Sequence, residues 1–235
     1  MCARGRGVIR NTLTLLLPMI GEVAVLAIAL RRGCWRRFPV FCGYFAWIFL
    51  YDLLYLRVEW GVSADAYFRL FDIGFPIDWA VRFLVLTEVV LAVWKRQQTT
   101  RSRRMEFVLV LMLFAGMDTL GPIAQLFAPS AMHFESALYR RLDALLSLLV
   151  VVCWLMLEGL QRQLSFSRMD LELPILRGLG VNALMSLSTG LARRTLASEW
   201  LSMIDVLQTG SYLAVLIYWM FCLSRSMPTL DDAEA

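Results

Sequence analysis

Glu22 and Glu88 each stand inside an apolar run, with no basic residue three or four positions away on either side. In hydrocarbon a charged side chain costs about 2.5–3.5 kcal/mol at a helix centre on translocon scales, so each acid requires a partner, water or a task. Glu22 precedes Arg31 by nine residues and Glu88 precedes Lys95 by seven. At about 1.5 Å of rise per residue, both carboxyls lie roughly 10–14 Å inside the same membrane boundary. Asn182, five residues beyond Arg177 in a run of opposite direction, reaches a similar depth. If the first, third and sixth runs pack together, these residues form one polar site, and two carboxyls sharing a dry site can carry a proton or exchange it for a cation. Helix-packing glue is the commoner use of such groups, each bonded to a neighbouring backbone or hydroxyl group.

A second set of polar residues maps to the other half of the membrane: Asp52, Asp78, Asp118, Asp143 and Asp205. Pro76 is expected in the first turn of its helix, which puts Asp78 near the positive end of the helix dipole, with Arg82 one turn on as its i,i+4 partner. Arg82 is then the natural contact for an anion or carboxylate in an acidic outer vestibule. Asp205, Gln208 and Tyr212 share one face of the last apolar run with Trp219. That face reads equally as a pocket wall or as an interfacial Tyr/Trp belt. Asp118 precedes Gly121 and Pro122, where a proline kink frees a carbonyl about one turn earlier. Glu158 has Arg162 four residues later, an expected interfacial ion pair. Gly178, Asn182, Ser186 and Gly190 recur at every fourth position. Such a stripe of small residues lets another helix approach closely, or lines a narrow polar path.

Other chemistries lack their residues. The single lysine, Lys95, falls in a connecting segment, so a retinal Schiff base has no membrane-embedded amine. One histidine, His133, cannot build a bis-histidine haem or a histidine-rich zinc site. No CxxC pair, HExxH, GxSxG or phosphate-binding glycine loop occurs, so neither metal nor cofactor is expected, and no catalytic residue. The five cysteines are expected as packing residues rather than a disulfide framework.

The elements that must position these groups are apolar helices. Hydrophobic residues make up 59% of the 235, and the mean hydropathy is +0.63. A soluble domain averages roughly 45–50% apolar, so the bilayer is the expected solvent. Seven stretches near 11–30, 39–58, 76–94, 105–127, 138–160, 174–192 and 205–224 approach the about 20 apolar residues that a span needs. The expectation is an all-α, polytopic membrane bundle of seven transmembrane helices forming one membrane domain over 1–235. Its longest connection would be at roughly 59–75, too short for a separate catalytic domain. Arg4, Arg6 and Arg10 precede the first run as in a signal peptide, but Arg31 and Arg32 stand where a small-residue cleavage site belongs, so that run reads as a retained helix.

Alternate connections carry thirteen basic residues on one side of the membrane and nine on the other, Arg82 lying within a span. By the positive-inside rule this places the amino terminus outside and the carboxy terminus inside, in a bacterial inner membrane. The net charge of +4 therefore reports topology and not nucleic-acid binding. The basic segment from Lys95 to Arg104 would meet anionic lipid or a cytoplasmic partner protein.

Arg36-Arg37-Phe38-Pro39-Val40-Phe41, Glu88 and the Gly178-Leu179-Gly180 start of the sixth run resemble short motifs of uncharacterised bacterial seven-helix membrane proteins. The overall layout is also similar to the seven-helix sensory modules joined to histidine kinases, without the kinase domain. The resemblance implies a fold and no activity. From these readings comes a non-enzymatic small-ligand sensor or partner subunit using the outer residues. The alternative is a small proton- or cation-coupled transporter using Glu22 and Glu88.

Overall fold

The computed structural model describes residues 2–59, 64–97, 116, 121–122, 134–160, 171–195 and 200–226. Six long helices account for almost all of them: α1 (Cys2–Arg31), α2 (Pro39–Glu59), α3 (Ala64–Gln97), α4 (Phe134–Leu160), α5 (Glu172–Thr195) and α6 (Leu201–Ser226). The architecture is all-α, and each of the expected runs on described residues falls within one of these helices. Of the run expected at 105–127, only residues 116, 121 and 122 are described, all helical; the remainder, including Asp118, lies outside the described residues.

Among the described residues, four helical segments are long and apolar enough to cross a membrane: Pro39–Arg57, Tyr139–Gly159, Glu172–Thr195 and Leu201–Arg225. That is the make-up of a multi-pass membrane protein, with four supported spans in place of the seven expected. α3 is not among them because Asp78, Arg82 and Glu88 interrupt its apolar run. Large apolar side chains also face outward, as a lipid-facing surface requires: Ile20, Met156, Leu207 and Ile217 are each more than half exposed.

α3 departs further from expectation. The segment at 59–75, read as the longest connection, is helical from Ala64 onward, and Pro76 lies inside the helix instead of in its first turn. Hydropathy sees only where the apolar run begins, whereas helix continuity depends on backbone propensity. The stretch from Ala64 to Ile73 is interrupted by Asp65, Arg69 and Asp72, which lower its hydropathy, but it contains neither glycine nor proline to break a helix. Asp78 is consequently well inside α3, and the expected dipole contact at a helix start does not apply.

The chain divides into two compact units, Met1–Val81 with Tyr212–Ala235, and Arg82–Ser211. In the first, α1 packs on α2, reversing through Gly33, whose φ of 69° is left-handed and favours glycine. The Cys34 carbonyl accepts hydrogen bonds from the Arg37 and Phe38 amides at 3.0 and 2.8 Å, and buried Phe38 anchors the turn. The core is aromatic: Phe41, Phe45 and Trp219 meet edge to face with centroids 5.0–5.6 Å apart.

In the second unit α4 and α5 pack along Ala144 and Leu187, with Leu145, Leu148 and Val151 around them. Gly180 brings the helices close, since a Cβ placed there would stand 2.5 Å from the Trp154 indole. Glu158 takes a bidentate contact from Arg177 across the two helices, at 2.6 and 2.9 Å. Its partner is therefore on α5; the expected partner, Arg162, lies outside the described residues. The planar guanidinium fork matches the carboxylate through two parallel hydrogen bonds.

Candidate functional site

In the unit Arg82–Ser211, two whole helices and parts of two others converge polar side chains on one cavity of about 180 Å³. Arg82 enters from α3, Asp143 and Ser147 from successive turns of α4, Asn182 and Ser186 from successive turns of α5, and Gln208 from α6. The i,i+4 spacing within α4 and α5 is what puts each pair on one helical face. Leu146, Val150 and Leu179 supply apolar wall between them.

Arg82 Nη1 donates to Asp143 Oδ1 at 2.9 Å, and the Ser186 hydroxyl donates to Asp143 Oδ2 at 3.3 Å. The two charged side chains retain 25% and 27% exposure, so they are reachable and not sealed. Arg82 is thus tied across 61 residues of sequence to a different helix. Gln208 is steadied from outside the cavity, its Oε1 accepting from Arg193 Nη2 at 3.3 Å. The same nitrogen meets Asp205 at 2.6 Å, and Asp205 is 62% exposed, so this acid belongs to a surface ion pair.

The unit Met1–Val81 with Tyr212–Ala235 holds a different polar group. Glu22 is fully buried; its Oε1 accepts the Tyr212 hydroxyl at 2.9 Å, while Oε2 is buried with no hydrogen-bond partner. Asp52 lies within electrostatic range of both Glu22 and Asp78. Tyr44 of α2 lies within the same range of Tyr212.

These contacts cut across the two depth groups read from the sequence. Tyr212, grouped with the outer vestibule, bonds Glu22; Asn182, grouped with Glu22 and Glu88, lines the cavity that holds Arg82 and Asp143. A depth ruler gives height along the membrane normal but no direction around a helix axis, and a tyrosine or arginine reaches more than one helical turn. Glu88 is half-buried on α3, Gly178 is buried and Gly190 half-buried on α5. Ser147 and Tyr44 escape the sequence reading; position i+4 to Asp143 is the available signal for Ser147, and none points to Tyr44. The described residues contain no group of three His, Cys, Asp or Glu placed to hold a metal ion, and no disulfide joins Cys34, Cys42, Cys153 or Cys222 to one another.

Comparison with protein-family models, with curated proteins and with solved structures found no match to this chain.

Proposed function

We propose that this is a non-enzymatic membrane sensor or partner subunit that binds a small polar ligand between α3, α4, α5 and α6. The observation that carries the reading is the cavity of about 180 Å³, with an accessible Arg82–Asp143 pair, Asn182, Ser186 and Gln208 set among apolar wall residues. Six of the ten residues lining it are polar, so the cavity suits a small polar ligand held by convergent hydrogen-bonding groups. In this reading the run at 105–127 supplies a further span, α1 and α3 also cross, and the seven helices lie in a bacterial inner membrane with the amino terminus outside. Occupancy passes to a partner protein through the basic segment containing Arg101, Arg103 and Arg104.

A test is thermal stabilisation of the purified full chain by a dialysed small-molecule extract. The expected result is a raised unfolding midpoint that Ser186→Trp, which fills the cavity, abolishes. No stabilisation, or equal stabilisation of the variant, rejects the cavity as a ligand site. Replacing Arg101, Arg103 and Arg104 together should remove partner recovery in mild detergent; undiminished recovery rejects that surface.

Glu22 favours a second reading, a proton- or cation-coupled transporter using Glu22 and Glu88. A fully buried carboxyl with one oxygen lacking a partner is unusual inside a membrane helix, where its burial is costly. Reconstituted vesicles would show a pH-dependent flux that the Glu22→Gln, Glu88→Gln double variant abolishes. An undiminished flux in that variant rejects the assignment.

A further inference from the structure

We propose that the turn joining α1 to α2, together with the end of α6, holds the phosphate headgroup of an anionic phospholipid. The surface belongs to the unit Met1–Val81 with Tyr212–Ala235, so the inference does not rest on the cavity of the other unit.

Arg31, Arg32, Arg36 and Arg37 crowd into seven residues, and no Asp or Glu occurs between Glu22 and Asp52. The turn is therefore strongly positive, with no acid near it along the chain. Arg31 and Arg36 are exposed, and neither forms an ion pair with a described residue. The planar guanidinium fork matches two phosphate oxygens at once, which an ammonium does not.

These arginines are fixed in place. Cys34 and Phe38 are fully buried, and the Cys34 carbonyl accepts from the Arg37 and Phe38 amides, so the turn is anchored on the helices. Trp35 nonetheless stands 48% exposed, with the Arg36 guanidinium 5.5 Å from its ring centroid. Exposing an indole to water is unfavourable. At a membrane boundary it lies between headgroups and acyl chains, where its apolar ring and its N–H both find partners.

The end of α6 repeats the arrangement. Arg225 is exposed and makes no ion pair with a described residue; its guanidinium lies 3.8 Å from the ring centroid of Phe221, itself 50% exposed. Tyr212 meets Glu22, nine residues before Arg31, whereas Trp219 meets Phe41, four residues after Arg37. α6 thus runs toward the turn, and Arg225 shares that end of the unit. The apolar span of α2 begins there at Pro39 and that of α6 stops there at Arg225. Two arginine–aromatic pairs at the limit of two spans make a rim with phosphate contacts on its outer side and acyl-chain contacts on its inner side. A free phosphate offers the same oxygens but no acyl chain for Trp35 and Phe221, so the exposed rings select the lipid. Each arginine close to an anionic membrane surface is worth about fivefold in affinity.

The experiment titrates the full chain, purified in neutral detergent, with phosphatidylglycerol, with phosphatidylcholine of the same acyl chains, and with glycerol 3-phosphate. Binding is read by thermophoresis and by the unfolding midpoint. The expected result is saturable binding of phosphatidylglycerol, at least tenfold tighter than of either other probe and weakened by salt. Arg31→Gln with Arg36→Gln should remove at least tenfold of that preference, and Arg36→Glu alone should remove a comparable part. Arg57→Gln, an exposed arginine at the opposite end of α2, should leave it within twofold. Unfolding midpoints without lipid check that each variant is folded. Equal binding of the two lipids, or an equal loss in Arg57→Gln, overturns the site. Glycerol 3-phosphate binding as tightly as phosphatidylglycerol overturns the lipid in favour of a soluble phosphate.

Discussion

Glu22 in one unit and Asp143 in the other are both acids inside helix packing, and their surroundings differ in kind. Glu22 is fully buried against a phenol, with one oxygen left over, in the unit whose core is the aromatic cluster of Phe41, Phe45 and Trp219. Asp143 meets a guanidinium and a hydroxyl, and its side chain keeps 27% exposure beside a cavity. An isolated buried acid is tolerated only when something holds it, whereas a paired acid beside open space is available to a ligand. The difference separates a sealed acid held by one hydroxyl from a paired acid that stays reachable.

The largest effect should come from breaking the ion pair at the cavity. Asp143→Ala leaves Arg82 without that carboxylate and should cost roughly 2–3 kcal/mol, below the roughly 3–5 kcal/mol expected of a sealed pair because both groups are about a quarter exposed. The Arg82→Met, Asp143→Leu double variant should recover most of that loss, measured by denaturant unfolding in detergent. A double variant as unstable as the single one would show that the cost comes from packing and not from the charge.

Next in size is the other unit. Tyr212→Phe removes the hydroxyl that donates to Glu22 Oε1 and leaves neither oxygen of this buried carboxyl with a hydrogen bond, an expected loss of about 1–3 kcal/mol. Adding Glu22→Leu should relieve the Tyr212→Phe penalty. If Tyr212→Phe is silent in unfolding measurements, Glu22 is not held by that bond and the contrast between the units weakens.

Gly180→Leu sharpens the comparison by touching packing alone. The added side chain meets the Trp154 ring, and overpacking of this kind costs about 1–3 kcal/mol. Trp154→Ala in the same chain should offset part of it, a coupling that a double-mutant cycle measures. The smallest effect belongs to Asp205→Asn, because its pair with Arg193 is 62% and 46% exposed. A change of about 0–1 kcal/mol is expected, screened further by salt. A larger loss would place Asp205 in the support of Gln208 and of the cavity.

Much of the helical layout was legible from residue order. Pro39 and the Arg36-Arg37 pair mark where α2 begins, and the basic residues at Arg193, Arg194 and Arg225 mark the ends of α5 and α6. Hydropathy misplaces the start of α3 because apolar content falls before Pro76, while the helix runs on through Gly74 and Pro76. In the site, Arg82, Asp143, Asn182, Ser186 and Gln208 each stand out in the sequence, yet not as one group. Spacing along one chain identifies which residues share a helix face; it carries no information on which faces of different helices meet.

Residue types and their periodicity alone determined that the chain forms long apolar helices, that basic residues gather toward their ends and the segments between them, and that the few polar groups at depth need partners. Local propensity and transfer free energy act residue by residue, so these properties are readable in order along the chain. Only the tertiary structure decided the partners: Tyr212 for Glu22 across 190 residues, Arg82 for Asp143 across 61, and Arg177 for Glu158 across 19. Those choices follow from how helix faces interlock, as where Gly180 lets α5 close on Trp154, and that depends on side chains from several helices at once.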